Sequence, residues 1–180
     1  MKTTHTIRPR HAGVTLAELL VGLAILAIVA ATAAPSLQRL VARQRVMQTA
    51  DLLAGALSLA RSAAMARREE VLVEPLAGAD SFNDGWQVRP AAARQPIAAA
   101  RLPDTCLQVT LRQTEQGANA LRFTAVGYSR SESGGFQAAT IAVRCRDVQR
   151  QVRLGAQGRI RLCTPGRDSA CDGVDVAEPS

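Results

Sequence analysis

The chain has 180 residues and a formal charge of +7, from 22 basic and 15 acidic side chains, and is 47% hydrophobic but only 3% aromatic. That length accommodates one membrane-crossing helix and one modest core, not two cores. Both histidines, His5 and His11, precede Gly13, so the remainder excludes Ser-His and Cys-His nucleophilic pairs and every histidine-bearing metal site; with no G-x-S-x-G, phosphate-loop or dinucleotide motif either, neither catalysis nor a cofactor is expected.

Residues 1–13 form a leader with Lys2, Arg8 and Arg10 and no acid. Val14 to Ala34 follows, 21 residues whose only charge is Glu18. At 1.5 Å per residue a helix over this run reaches ~31 Å, about the thickness of a hydrocarbon core. A carboxylate at that depth is costly and requires a partner. Two other readings stay open. One is a secretory signal peptide, for which Ala31-Thr32-Ala33 is a small-residue cleavage site; the acid early in the run and the length of the run count against it. The other is a plain signal anchor with an incidental Gly13. As an anchor, the helix keeps the basic N-terminus in the cytoplasm and exports the rest.

Helical periodicity continues past Pro35 through Leu37, Leu40, Val41, Met47, Ala50, Leu53, Leu57, Ala60 and Ala64, a single apolar stripe. The spacing predicts one helix from about Val14 to Arg68, kinked near Pro35, where proline removes a backbone donor and crowds the preceding turn. From Glu70 the pattern changes to short strands: Val71 to Glu74, Gly85 to Arg89, Thr105 to Leu111, Leu121 to Thr124, Thr140 to Arg146, Gln151 to Leu154 and Arg159 to Cys163. Residues 78–85 and 127–135 read as loops, and the Ala/Pro-rich 91–100 fits no element. The predicted class is α+β, a long kinked N-terminal helix packed on a small antiparallel β-sheet domain.

Cys106, Cys145, Cys163 and Cys171 all fall in the exported part, and an even number there reads as disulfides. The turn-rich segment between Cys163 and Cys171 suits a local bridge, which stabilises by ~2–3 kcal/mol in the chain-entropy account. That leaves Cys106 with Cys145. Strand alternation weakens this second pairing, because Cys145 shares a face with Ile141 and Val143 whereas Cys106 falls opposite the face of Leu107, Val109 and Leu111. Zinc is the alternative use of four cysteines, against which stand the missing C-x-x-C pair and the lack of a nearby histidine. Asp80 and Asp84 read as solvated loop acids, with a weak calcium site as the alternative.

Arg144, Arg146, Arg150, Arg153, Arg159, Arg161 and Arg167 fall within 24 residues that hold one acid, Asp147. On strands, Ile160 and Leu162 face inward while Arg159 and Arg161 face out together, and Arg144 and Arg146 do likewise. Same-face neighbours lie roughly 6.8 Å apart, a spacing that suits guanidiniums engaging successive phosphates. A solvated polar sheet face is the bland reading of the same pattern, and contact with anionic lipid or another subunit is a third.

The run Gly13-Val14-Thr15-Leu16-Ala17-Glu18, between a basic leader and an apolar stretch, resembles the class III signal of type IV pilin-like proteins. The resemblance implies cleavage by prepilin peptidase between Gly13 and Val14 and methylation of the new amino terminus. It implies pairing of Glu18 with the Val14 amine of a neighbouring subunit, and a helix bend at Pro35. Together with "LAGALSLARSAAMAR", "DGWQV" and "GRIR", the order of parts resembles the GspH/FimT family of minor pilins and pseudopilins. On that footing the organisation is a leader over 1–13, a transmembrane and filament-core helix over 14–34, its amphipathic continuation over 35–68, and a β-rich domain over 69–180.

What the resemblance implies is a single-pass bacterial inner-membrane prepilin with its C-terminal domain in the periplasm. Its partners are the inner membrane, prepilin peptidase and other pilin or pseudopilin subunits, in a type IV pilus or the pseudopilus of a type II secretion system. Gly158-Arg159-Ile160-Arg161 also matches a Gly-Arg-x-Arg motif associated with FimT-type pilins that bind DNA for uptake in natural transformation. The alternative function is therefore DNA binding through Arg144, Arg146, Arg153, Gly158, Arg159, Arg161 and Arg167.

Overall fold

The computed structural model describes residues 16–102, 106–115 and 117–171. The leader, the Gly13–Val14 junction and Thr105 lie outside the described residues. The chain divides into two units, Met1–Gln38 and Arg39–Ser180, and helix α1 (Leu16–Arg67) begins in the first and ends in the second.

In the first unit every described residue except Gly22 is exposed, including Leu19, Leu20, Val21, Leu23, Ile25, Leu26, Ile28 and Val29. The helix is long and apolar enough to cross a membrane, with a mean hydropathy of 2.4 over its most apolar stretch. Pro35 sits inside it and has no N–H for the carbonyl one turn back. Nearby hydroxyls fold onto the backbone: Thr32 Oγ1 donates to Val29 O at 3.0 Å, and Ser36 Oγ to Ala33 O at 2.7 Å. Such back-bonding keeps a side-chain donor satisfied without a partner outside the helix.

In the second unit α1 buries Ala42, Val46, Thr49, Ala50, Leu53, Leu57, Ala60 and Ala64. The stripe read from the sequence enters this one only at Ala50. Leu37, Leu40, Val41 and Met47 are exposed instead. The step from Val41 to Met47 spans six residues and breaks the three-or-four rhythm, whereas the small side chains of Ala42 and Val46 keep it.

Among the described residues nine strands follow: β1 (Val71–Pro75), β2 (Gly85–Pro90), β3 (Ala98–Arg101), β4 (Gln108–Gln113), β5 (Leu121–Phe123), β6 (Ser129–Arg130), β7 (Ala139–Cys145), β8 (Val148–Leu154) and β9 (Ile160–Cys163). They form two antiparallel sheets rather than the one expected, in the orders β3-β2-β1-β5-β6 and β4-β7-β8-β9. The strands missed by pattern are β3, built on Ala98-Ala99-Ala100, which have poor strand propensity, and the two-residue β6 inside a segment read as loop. One continuous core joins the α1 stripe to the inner faces of both sheets, with Val71, Val73, Trp86, Val88, Leu121 and Phe123 from one and Val109, Ile141, Val143, Val152 and Leu154 from the other. Leu53 and Leu57 are fully buried at its centre, and burying a side chain of that size contributes about 1.5–3 kcal/mol.

Cys106 bonds to Cys145 and Cys163 to Cys171, with Cα separations of 5.2 and 5.6 Å. The alternation argument against the first bridge does not apply, because β4 starts at Gln108 and Cys106 lies in the turn before it. Outside the strand, its side chain is not bound to either face.

Candidate functional site

Two regions carry the residues singled out by sequence. The first is the start of α1, where Glu18 lies in the first turn and Pro35 further along, both exposed.

The second is the outer face of the β4-β7-β8-β9 sheet. Inner positions of β7 are Ala139, Ile141, Val143 and Cys145, which turns Thr140, Ala142 and Arg144 outward. Register then sets the face. Arg153 on β8 stands between Thr140 on β7 and Arg161 on β9, and Arg112 on β4 is opposite Thr140. The row Arg112-Thr140-Arg153-Arg161 therefore crosses all four strands, about 14 Å at the usual strand spacing. Arg159 and Arg161 are exposed while Ile160 and Leu162 turn inward. Arg144 is exposed and donates from Nη2 to Gln149 Oε1 at 2.8 Å.

Three members of the arginine run stand apart. Arg146 is the first residue of the two-residue turn between β7 and β8, with φ 56°, so it does not share a strand face with Arg144. Arg150 points to the inner side, opposite Val143, and its Nη2 lies 3.9 Å from Asp51 Oδ1 on α1. Arg167 is exposed in the loop closed by the Cys163–Cys171 bridge. Arg112 was invisible to a local reading because it sits more than thirty residues before the cluster, and only strand register brings it there.

Gly158 has a packing reason of its own. Its φ is +74°, and a Cβ there would lie 2.1 Å from Gly127 O and 3.0 Å from Arg61 Nε. The turn before Arg159 is thus pressed against the turn between β5 and β6. Ser129 N–H, just past that turn, donates to Ala156 O at 3.0 Å and ties the two sheets together. Exposed Val126 and Tyr128 flank Gly127, so an apolar patch borders the Arg159 end of the basic face.

The family model described as Type II transport protein GspH matches residues 49–176, well over half of the chain. The chain belongs to the GspH family. A prokaryotic N-terminal methylation motif matches residues 8–34, covering both Glu18 and the Gly13–Val14 junction. The fold is similar to that of the type IV minor pilin FimU of Pseudomonas aeruginosa, with a TM-score of 0.56 and 20% identity over 69% of this chain and 95% of that one. A second crystal form of FimU gives a TM-score of 0.51, with 67% and 97% covered. The minor pseudopilin EpsH from the type 2 secretion system of Vibrio cholerae gives 0.49 at 15% identity, with 68% and 99% covered. Among curated proteins there is no significant sequence match. This member of the GspH family thus joins a methylation-type N-terminus to a minor-pilin fold.

Proposed function

We propose that the chain is a minor pilin or pseudopilin, a structural subunit of a type IV pilus or of a type II secretion pseudopilus. The observation that carries this reading is the helix Leu16–Arg67. Its first part lies within the methylation motif and is exposed and apolar, and its last turns form the spine of a GspH-family β domain. Prepilin peptidase removes residues 1–13, the mature helix anchors the subunit in the inner membrane with its β domain in the periplasm, and Glu18 pairs with a neighbour's amino terminus on assembly. No catalytic step belongs to this role. The test is recovery of the subunit in sheared filaments from the native host. Wild type is expected in that fraction and Glu18→Ala is expected to stay in the membrane; equal recovery of both contradicts the role given to Glu18.

A second reading is DNA binding at the outer face that holds Arg153, Arg159 and Arg161. It draws on geometry and on the Gly-Arg-x-Arg match, and no comparison points to it. The Arg112-Thr140-Arg153-Arg161 row favours it over a merely solvated face, since a strip of guanidiniums at strand spacing suits a phosphate backbone.

A further inference from the structure

Two sheets have four edges, and among the described residues two of them, β4 and β6, pass backbone hydrogen bonds to other parts of the chain. On β4, Val109 N–H donates to Asn83 Oδ1 at 2.8 Å. On β6, the chain returns through the Arg130–Phe136 bridge, and Ser129 N–H is taken by Ala156 O. β9 ends at Cys163, which the bridge to Cys171 ties to the loop that follows.

The β3 edge is different. Leu102 N–H donates to Asp84 O at 3.1 Å, and this fixes the phase of the ladder with β2. By antiparallel alternation Ala100 turns its backbone groups to β2, while Ala99 and Arg101 turn theirs away. Both residues are exposed. An open row of this kind is a template for another strand.

The helix beside it tells the same story. Leu52 is 60% and Leu59 38% exposed, and nothing lies within 4 Å of where a Cβ on Gly55 would stand. A hollow of about 180 Å³ runs between this flank and β3, with Leu52, Gly55, Leu59, Trp86, Ala98 and Ala100 among its walls. Beside β3, Leu52 and Leu59 of α1 are thus left uncovered. Arg101 adds a charge, being exposed on the other face of β3 with no ion-pair partner among the described residues.

We infer that β3 receives an extended segment of a neighbouring filament subunit as a sixth strand. The segment is apolar at the positions over Leu52 and Leu59 and carries carboxylates on its opposite face, beside Arg101. Backbone pairing supplies affinity and the alternation supplies selectivity. The inference rests on reading the chain as a filament subunit, but its test does not require filaments.

The test uses the full chain in detergent micelles, labelled for amide NMR, and a synthetic Thr-Val-Asp-Val-Asp-Val-Thr peptide as probe. The Ala99 and Arg101 amides are expected to shift and to exchange more slowly with bound peptide. Ala99→Pro removes an outward donor without touching the β2 ladder; it is expected to lower peptide affinity about tenfold, the scale of one or two backbone hydrogen bonds, while core amides stay unchanged. Arg101→Glu should reverse the preference between this peptide and one with lysine for aspartate. No response at Ala99 and Arg101 at millimolar peptide, or equal binding by Ala99→Pro, overturns the inference. A subunit that enters filaments yet ignores the peptide loses only the β3 proposal. One that binds the peptide yet never enters filaments loses the filament reading instead.

Discussion

Gly158 and Gly127 meet backbone to backbone. The Gly127 carbonyl oxygen lies 2.1 Å from where a Cβ on Gly158 would sit, and both glycines have positive φ, at +74° and +82°. The contact locks the turn that carries Arg159 onto the other sheet, so the glycine of the Gly-Arg-x-Arg sequence has a structural duty whether or not it meets a ligand.

Gly158→Ala should therefore cost about 3 kcal/mol, combining a left-handed backbone with a backbone clash that no rotamer can relieve. Gly78→Ala is the control, because Gly78 has φ +83° but open space around it; about 1 kcal/mol is expected there. Denaturant unfolding of both variants separates the two terms. Equal losses would mean that the Gly127 contact adds nothing.

Removing the Cys106–Cys145 bridge should destabilise more than removing Cys163–Cys171, since their sequence separations are 39 and 8. The chain-entropy relation gives about 4 kcal/mol for the first and about 2.5 kcal/mol for the second. Paired Cys→Ser variants, unfolded under oxidising conditions, measure the order directly.

Arg89 gathers the segment after β2. Its Nη1 donates to the carbonyls of Pro90, Ala91 and Ala93 at 3.2–3.3 Å, and its Nε and Nη2 engage Glu74. Arg89→Met leaves three carbonyls and a half-buried carboxylate without this donor. A loss of about 2 kcal/mol is expected, with faster amide exchange at Ala93 and Ile97 ahead of any global unfolding. Uniform exchange throughout the domain would contradict a local clasp.

The basic face makes a sharp distinction among its arginines. If DNA binds there, Arg153→Gln, Arg159→Gln and Arg161→Gln should each weaken binding and lower the log–log salt slope by about 0.9 per lost phosphate contact with duplex DNA. Arg150→Gln should leave that slope unchanged, because Arg150 faces inward toward Asp51; it should lose about 1 kcal/mol of stability or less. Fluorescence anisotropy at two salt concentrations, run on the full chain in micelles, reads both effects. No binding by wild type at low salt removes the DNA reading.

The sequence was legible where one local rule decided the outcome. A long apolar run at helical spacing marked α1, and alternation over Val71, Val73, Ile141 and Val143 marked central strands whose residues at these positions are fully buried. What stayed hidden depended on register and on neighbours distant in sequence. Arg112 joins the basic row only through pairing of β4 with β7. Arg150 leaves it because β8 begins at Val148, which puts residue 150 in phase with Val152 and Leu154. The stripe of α1 was misphased before Ala50 because bulky Leu40 and Val41 outweighed Ala42 in a hydrophobicity pattern, although small side chains are what let the helix approach the sheets. The loop nature of Cys106 was equally invisible, since nothing local stops β4 from starting a few residues earlier.

The most direct measurement is the intact mass and N-terminal sequence of the protein purified from membranes of a host that has prepilin peptidase. The account predicts loss of residues 1–13, a single added methyl group, and Val14 as the first residue, all abolished by Gly13→Asp. An N-terminus close to Ala33, as a signal peptidase would leave, or a retained leader with no methyl group, would contradict it.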